Sequence, residues 1–262
     1  MQIWQAIVLG AVQGFAEFLP VSSSGHLLLM QRLFGITEGE LFFDVMLHFG
    51  TLIPVITVFF GEIKKLFNRP YNKLTYLLLA TIPAGVTGIV FGDAVDKLFY
   101  SGNNLSAVLL SVTFLLTALE LFASEKVQKT TTKPLKLNKQ SVAFMGVAQA
   151  VAIMPGLSRS GTVISAGCYS KLDKTENATF AFLMSIPVIM GAGLISGVKA
   201  VQSGVQVQFL PLFFGVVTSA ITGYIAIKVM LKVIKKANYK YFSIYLVIMA
   251  TLSIVSKIAF GI

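Results

Sequence analysis

From Gln13 to His26 the chain reads Gln-Gly-Phe-Ala-Glu-Phe-Leu-Pro-Val-Ser-Ser-Ser-Gly-His, setting one carboxylate, Glu17, three hydroxyls, Ser22, Ser23 and Ser24, and one imidazole, His26, in a stretch otherwise apolar enough for a membrane. Polar groups in hydrocarbon are costly unless something uses them, so an acid and a histidine there are candidates for function. A hydroxyl with an imidazole in reach is a nucleophile with its base, because histidine exchanges protons near neutral pH. A second stretch answers the first. Laying Ser158-Arg159-Ser160-Gly161-Thr162 under Ser22-Ser23-Ser24-Gly25-His26 also lays Gln149 under Gln13, with no gap between.

A helix that restarts after Pro20 or Pro155 aims unpaired N–H groups and its positive dipole end at the break, which suits an anion. Arg159 adds a cation whose planar fork matches phosphate oxygens. Together the two breaks describe a phosphate site in which a serine attacks phosphorus while Arg159 and the N–H groups hold the equatorial oxygens. The plainer readings are that each serine is a helix cap and that Arg159 only neutralises Glu17. Ser23, three residues before His26, shares a helical face with it. Ser24 points away, and Ser22, four before, is the competitor and the more natural cap. Glu17 can orient His26, serve as base or hold a metal cation; the spacing does not choose. Asp44 and His48, four apart on one helical face, are a secondary pair, as apt to be a satisfied bundle contact as a pocket wall.

These residues must be positioned by membrane helices. The 262 residues are 55% hydrophobic and 12% charged, against roughly 25% charged in a soluble domain, which excludes that class. Cys168 is the single cysteine, so no internal disulfide or thiol metal cluster is expected, only a small buried hydrophobe. Apolar stretches predict six spans at about 41–60, 74–92, 105–123, 177–198, 209–230 and 241–260. Residues 2–34 and 141–170 are apolar but broken, and each reads as a re-entrant hairpin. No cleaved signal peptide is expected, since no basic region precedes the first apolar stretch and Glu17 lies inside it.

Lysine and arginine collect in cytoplasmic loops. With both broken segments re-entrant, the clusters at 64–73, 126–139, 171–174 and 228–240 share one side, leaving only Arg32, Lys97, Lys199 and Lys257 on the other. If 141–170 crossed instead, everything after it would change sides and the asymmetry would nearly vanish. The re-entrant reading puts both termini, Ser203 and the mouth of the first hairpin outside. The repeat also extends past the hairpins: Ile53-Pro54-Val55-Ile56 recurs as Ile186-Pro187-Val188-Ile189, and Thr87-Gly88 as Thr222-Gly223. The expected architecture is an all-α polytopic membrane protein, a single domain over 1–262. Each half is one re-entrant hairpin plus three transmembrane helices, and three crossings make the halves inverted copies. Repeat 1 covers about 1–123, a Lys- and Thr-rich cytoplasmic linker about 124–140, and repeat 2 about 141–262, with the site where the broken helices meet. The linker's charge suits anionic lipid head groups.

Gln13-x-x-x-Glu17, Pro20-Val21-Ser22-Ser23-Ser24-Gly25-His26 and Pro155-Gly156-Leu157-Ser158-Arg159-Ser160 resemble the signature motifs of the undecaprenyl-diphosphate phosphatase family, also called the bacitracin-resistance family, and the likeness runs over the whole chain. The resemblance implies hydrolysis of undecaprenyl diphosphate to undecaprenyl phosphate and inorganic phosphate in the bacterial inner membrane, recycling the lipid carrier for cell-wall synthesis. It implies Ser23 as nucleophile, His26 as its acid–base partner, Glu17 as essential acid, and Arg159 with Ser158 and Ser160 as phosphate binders. Ser22, Ser24, Gln13 and Thr162 join them as binding candidates. Where the family's second motif ends in threonine, this chain has Val163, and Thr162 sits one place earlier. A divalent cation, Mg²⁺ or Ca²⁺, is implied by the resemblance alone, with Glu17 and Asp44 as the only acids to offer it. The partners expected are a polyprenyl diphosphate and membrane lipid, with no nucleic acid; homodimerisation is left open.

Two rivals remain. The type-2 phosphatidic acid phosphatases share Ser-Gly-His, but six residues beyond Arg159 stands Ser165, and the chain has no third histidine. A lipid flippase or secondary transporter suits the inverted repeat itself.

Overall fold

A computed structural model of the chain describes residues 1–36, 40–202 and 208–260, which are helical throughout their regular structure, with no strand among them. Ser203 lies outside the described residues. Five helices are long and apolar enough to cross a membrane, and six if one bent pair is counted as a span. That pair is α3 (Glu40–Val58) and α4 (Phe60–Leu66), which meet at 82°, so the span expected over 41–60 ends in a sharp turn at Phe59. The others are α5 (Asn72–Phe99), α6 (Asn104–Thr130), α9 (Lys174–Leu183) running into α10 (Ser185–Gln202), α11 (Phe209–Lys236) and α12 (Lys240–Phe260). Ile89, Leu119, Leu194 and Ile258 stand exposed on their outer faces, as side chains in contact with hydrocarbon do.

Both broken segments are pairs of half-length helices. α1 (Ile3–Phe18) stops at Leu19, whose extended ψ of 143° is what the following Pro20 demands. α2 (Ser23–Phe34) restarts after Ser22, which caps it by accepting from Gly25 N at 3.3 Å, and ends on Gly35 in the left-handed region. The second pair is α7 (Lys139–Val151), opened by an Asn138–Ser141 capping box, and α8 (Arg159–Tyr169), capped by Ser158 through Gly161 N at 3.1 Å. Gly156 turns the chain between them at φ 89°, where a Cβ would meet Thr113 Oγ1 at 2.0 Å; no other residue fits.

The first helix of each pair packs on a long neighbour, α1 along α11 and α7 along α5. A Cβ on Gly10 would lie 2.3 Å from the Gly215 carbonyl oxygen, and one on Gly146 2.9 Å from that of Ala80, so small residues at corresponding places set both approaches. α6 packs on α12 and α8, and one of its faces is polar: Thr113, Thr117, Glu120, Ser124 and Gln128. That face explains why α6 does not stop at 123. It carries on through the first part of the expected linker, burying Ser124, Glu125 and Gln128, with Glu125 accepting from Lys240 N at 2.7 Å and so capping α12. The non-helical connection is only 131–138.

Candidate active site

The two breaks meet. Glu17, at the end of α1, receives Arg159 Nη2 from the first residue of α8 at 2.5 Å on Oε1. Its other oxygen accepts from Ser23 Oγ at 2.8 Å and Gln13 Nε2 at 3.0 Å, and lies 3.0 Å from His48 Nδ1. Glu17 is 5% exposed, so a carboxylate otherwise intolerable in hydrocarbon is compensated by a guanidinium, two further donors and an imidazole edge. Beside it is a cavity of about 180 Å³ whose polar wall is Glu17, Ser23, Ser24, His48, Ser158, Arg159 and Ser160, and whose apolar wall includes Ile153, Leu157, Val188 and Ile189. Arg159 spends one nitrogen on Glu17, while its Nη1 is buried without a partner among the described residues. Ser158 Oγ stands 3.3 Å from Ser160 Oγ, and Ser160 donates to the Leu19 carbonyl at 3.3 Å, tying the second break to the first.

This gathers Glu17, Ser23, Ser24, Ser158, Arg159 and Ser160 around one cavity, with Gln13 fully buried behind Glu17. Three other candidates face elsewhere. Ser22 is the cap of α2, with φ at 69°. His26 does not pair with Ser23 as its spacing had suggested: Nδ1 donates to the Ser22 carbonyl at 2.7 Å, leaving Nε2 to accept from Tyr245 Oη at 2.6 Å, with the two rings stacked. The left-handed backbone at Ser22 sets this aim, and His26 looks toward an apolar groove between α1 and α12 instead of the acid. Thr162 turns its hydroxyl to Glu120 Oε2 on α6 at 2.7 Å, and Val163 is fully buried in the core, so neither brings a hydroxyl to the cavity. The Asp44–His48 pairing also dissolves, since Asp44 accepts from Gln31 Nε2 at 2.7 Å while His48 belongs to Glu17.

The described residues do not make a cage for the divalent cation that the resemblance implies. Both Glu17 oxygens are taken, one by a cation already, and no three acidic, histidine or cysteine side chains converge among the described residues. Chemically the site offers a serine whose proton points at a carboxylate, an arginine with half its fork free and the N-terminus of α8, a set suited to a phosphoryl group.

Fold and site together define a helical membrane protein in which two helix breaks share one buried acid–arginine–serine pocket. The family model described as "Bacitracin resistance protein BacA" matches residues 6–252, and the chain belongs to that family of multi-pass membrane proteins. It is 38% identical over 264 residues to an undecaprenyl-diphosphatase of Carboxydothermus hydrogenoformans, covering 99% of each chain. It is 39% identical to one of Halothermothrix orenii and 38% identical to one of Methanobrevibacter smithii, covering 94% of both chains in each case.

Proposed function

We propose that the chain is an integral-membrane phosphatase that hydrolyses undecaprenyl diphosphate to undecaprenyl phosphate and inorganic phosphate, recycling the lipid carrier of cell-wall synthesis and so conferring bacitracin resistance. The relatives' names support the substrate. The observation that carries the chemistry is Glu17 held between Ser23 and Arg159 at the wall of one cavity. Ser23 Oγ attacks the terminal phosphorus, and Glu17, already accepting its hydrogen bond, takes the proton. Arg159 and the start of α8 stabilise the charge spread over the phosphoryl oxygens. Ser24, Ser158 and Ser160 line the phosphate pocket, and Gln13 steadies Glu17.

The architecture that serves this is two inverted copies of one unit, with both hairpins re-entrant and the cavity opening to the outer face. The matched packing of α1 on α11 and of α7 on α5, and the lysine asymmetry, support it.

The test is phosphate release from the purified, reconstituted protein. Ser23→Ala is expected to abolish turnover, and Arg159→Lys to lose about 30- to 1,000-fold, because a point charge cannot hold both Glu17 and a phosphoryl oxygen. Ser22→Ala keeps measurable activity and loses about 1 kcal/mol of stability as a cap. Full activity in Ser23→Ala would sink the covalent route, and near-normal turnover with Lys at 159 would make Arg159 a mere counter-ion.

A further inference from the structure

Resting on that reading of the pocket, one ionisable side chain in its wall has no assigned task. Of the two histidines in the chain, His26 has both ring nitrogens occupied, by the Ser22 carbonyl and by Tyr245. His48 has one. Its Nδ1 faces inward, 3.0 Å from Glu17 Oε2 and 2.7 Å from Gln13 Nε2, while the side chain, 24% exposed, lines the cavity. Nε2 is therefore the ring's remaining polar edge.

The two inner neighbours ask opposite things of Nδ1. Toward the carboxylate it must carry hydrogen, which leaves a lone pair on Nε2; toward an amide N–H it must be an acceptor, which puts the hydrogen on Nε2. A ring that satisfies either neighbour without moving is suited to exchanging a proton at its outer edge. Among the described residues, the charged groups facing it are Glu17 from α1 and, through Glu17, Arg159 from α8. α10 presents Val188, Ile189 and Ala192 to the cavity, and α11 carries no ionisable residue between Phe209 and Gly223. On α2, His26 is spent on Tyr245 and Arg32 on the Phe99 carbonyl, and Asp44, one turn away on α3, is bound by Gln31.

We propose that His48 is the acid–base group of this site. In the first half-reaction the bond from Ser23 Oγ to phosphorus forms, the bridging P–O bond breaks with its electrons leaving on the lipid phosphate, and the Ser23 proton passes to Glu17. In the second, His48 Nε2 takes a proton from water as its oxygen attacks phosphorus. The P–Oγ bond breaks with its electrons on Oγ, which recovers its proton from Glu17, and phosphate departs. One water is consumed, and His48 returns its proton to the solvent.

The experiment compares full-length wild-type protein with His48→Gln, which keeps an amide beside Glu17 but cannot take a proton, on undecaprenyl diphosphate from about pH 5 to about pH 8. Wild-type kcat is expected to rise with pH, because only a neutral ring nitrogen can take a proton from water. In H48Q it falls about 10²- to 10⁴-fold and loses that limb, while phosphate accumulates on Ser23, detected by mass. Two results overturn the proposal: H48Q within about threefold of wild type, or a slow H48Q that keeps the same limb, since His48 would then only position Glu17. Loss of the limb with no phosphate on Ser23 keeps His48 as the base and removes instead the serine attack proposed above.

Discussion

The two broken segments repeat one design, yet what holds each of them differs. The second hairpin is fastened to α6 rung by rung: Thr113 donates to the Pro155 carbonyl at 2.7 Å, Thr117 accepts from Ser158 N at 3.1 Å, Glu120 receives Thr162, and Ser124 and Gln128 receive Ser165 and Cys168. The first hairpin is seated by close backbone approach of Gly10 and Gly14 to α11, and its polar groups are turned inward on the acid. At corresponding places Gln13 bonds Glu17 and His48, whereas both amide atoms of the buried Gln149 lack partners among the described residues, with Ile153 where an acid would be. The first broken segment gathers the acid and its donors, and the second is a mount that brings Ser158, Arg159 and Ser160 to the same cavity.

The comparison breaks first at the mount. Gly156→Ala forces a side chain into a left-handed turn already filled by Thr113 and Leu110, and is expected to cost at least about 2 kcal/mol and most of the activity by displacing Arg159. Thermal unfolding in detergent alongside phosphate release checks this; an unchanged melting temperature would show that the second hairpin is not rigidly mounted. Tyr245→Phe removes the one hydrogen bond between His26 and α12, at a half-exposed tyrosine, so about 0.5 to 1.5 kcal/mol and less than tenfold in turnover are expected. A loss above a hundredfold would put His26 and Tyr245 in the reaction itself. Smallest, and opposite in sign, is Gln149→Leu, which removes two unpaired buried polar atoms at similar volume and is expected to stabilise by up to about 1 kcal/mol with activity unchanged. A fall in activity would mean that Gln149 still works.

Much of this was legible because the signals are local. Apolar run length located the spans, and Pro20, Pro155 and Gly156 fixed the breaks through backbone geometry that needs no partner. Glu17, Ser23 and Arg159 stood out because such residues are costly where they lie. What sequence could not carry was direction. His26 was assigned to Ser23 from helical spacing, but the left-handed Ser22 rotates the start of α2 and Tyr245, far along the chain, supplies the contact. Spacing left His48 equally apt to pair with Asp44 or to form a pocket wall; it lines the pocket, beside an acid on another helix. The polar end of α6 reads in sequence as linker, and only the packing of α8 and α12 against it shows that this polarity is buried.

The polar face of α6 also bears on how the protein is made. α6 is synthesised before α8 and α12, and until they exist its hydroxyls close only on its own carbonyls and Glu125 only on Lys129, while Glu120 and Gln128 await Thr162 and Cys168. A helix in that state is poorly suited to free lipid, where each unmet polar group is penalised. Final seating of the first half is therefore coupled to the second: the polar face of α6 is fully satisfied only once α8 and α12 pack against it. A chain cut after Thr130 leaves Glu120 and Gln128 without the partners that the complete fold gives them.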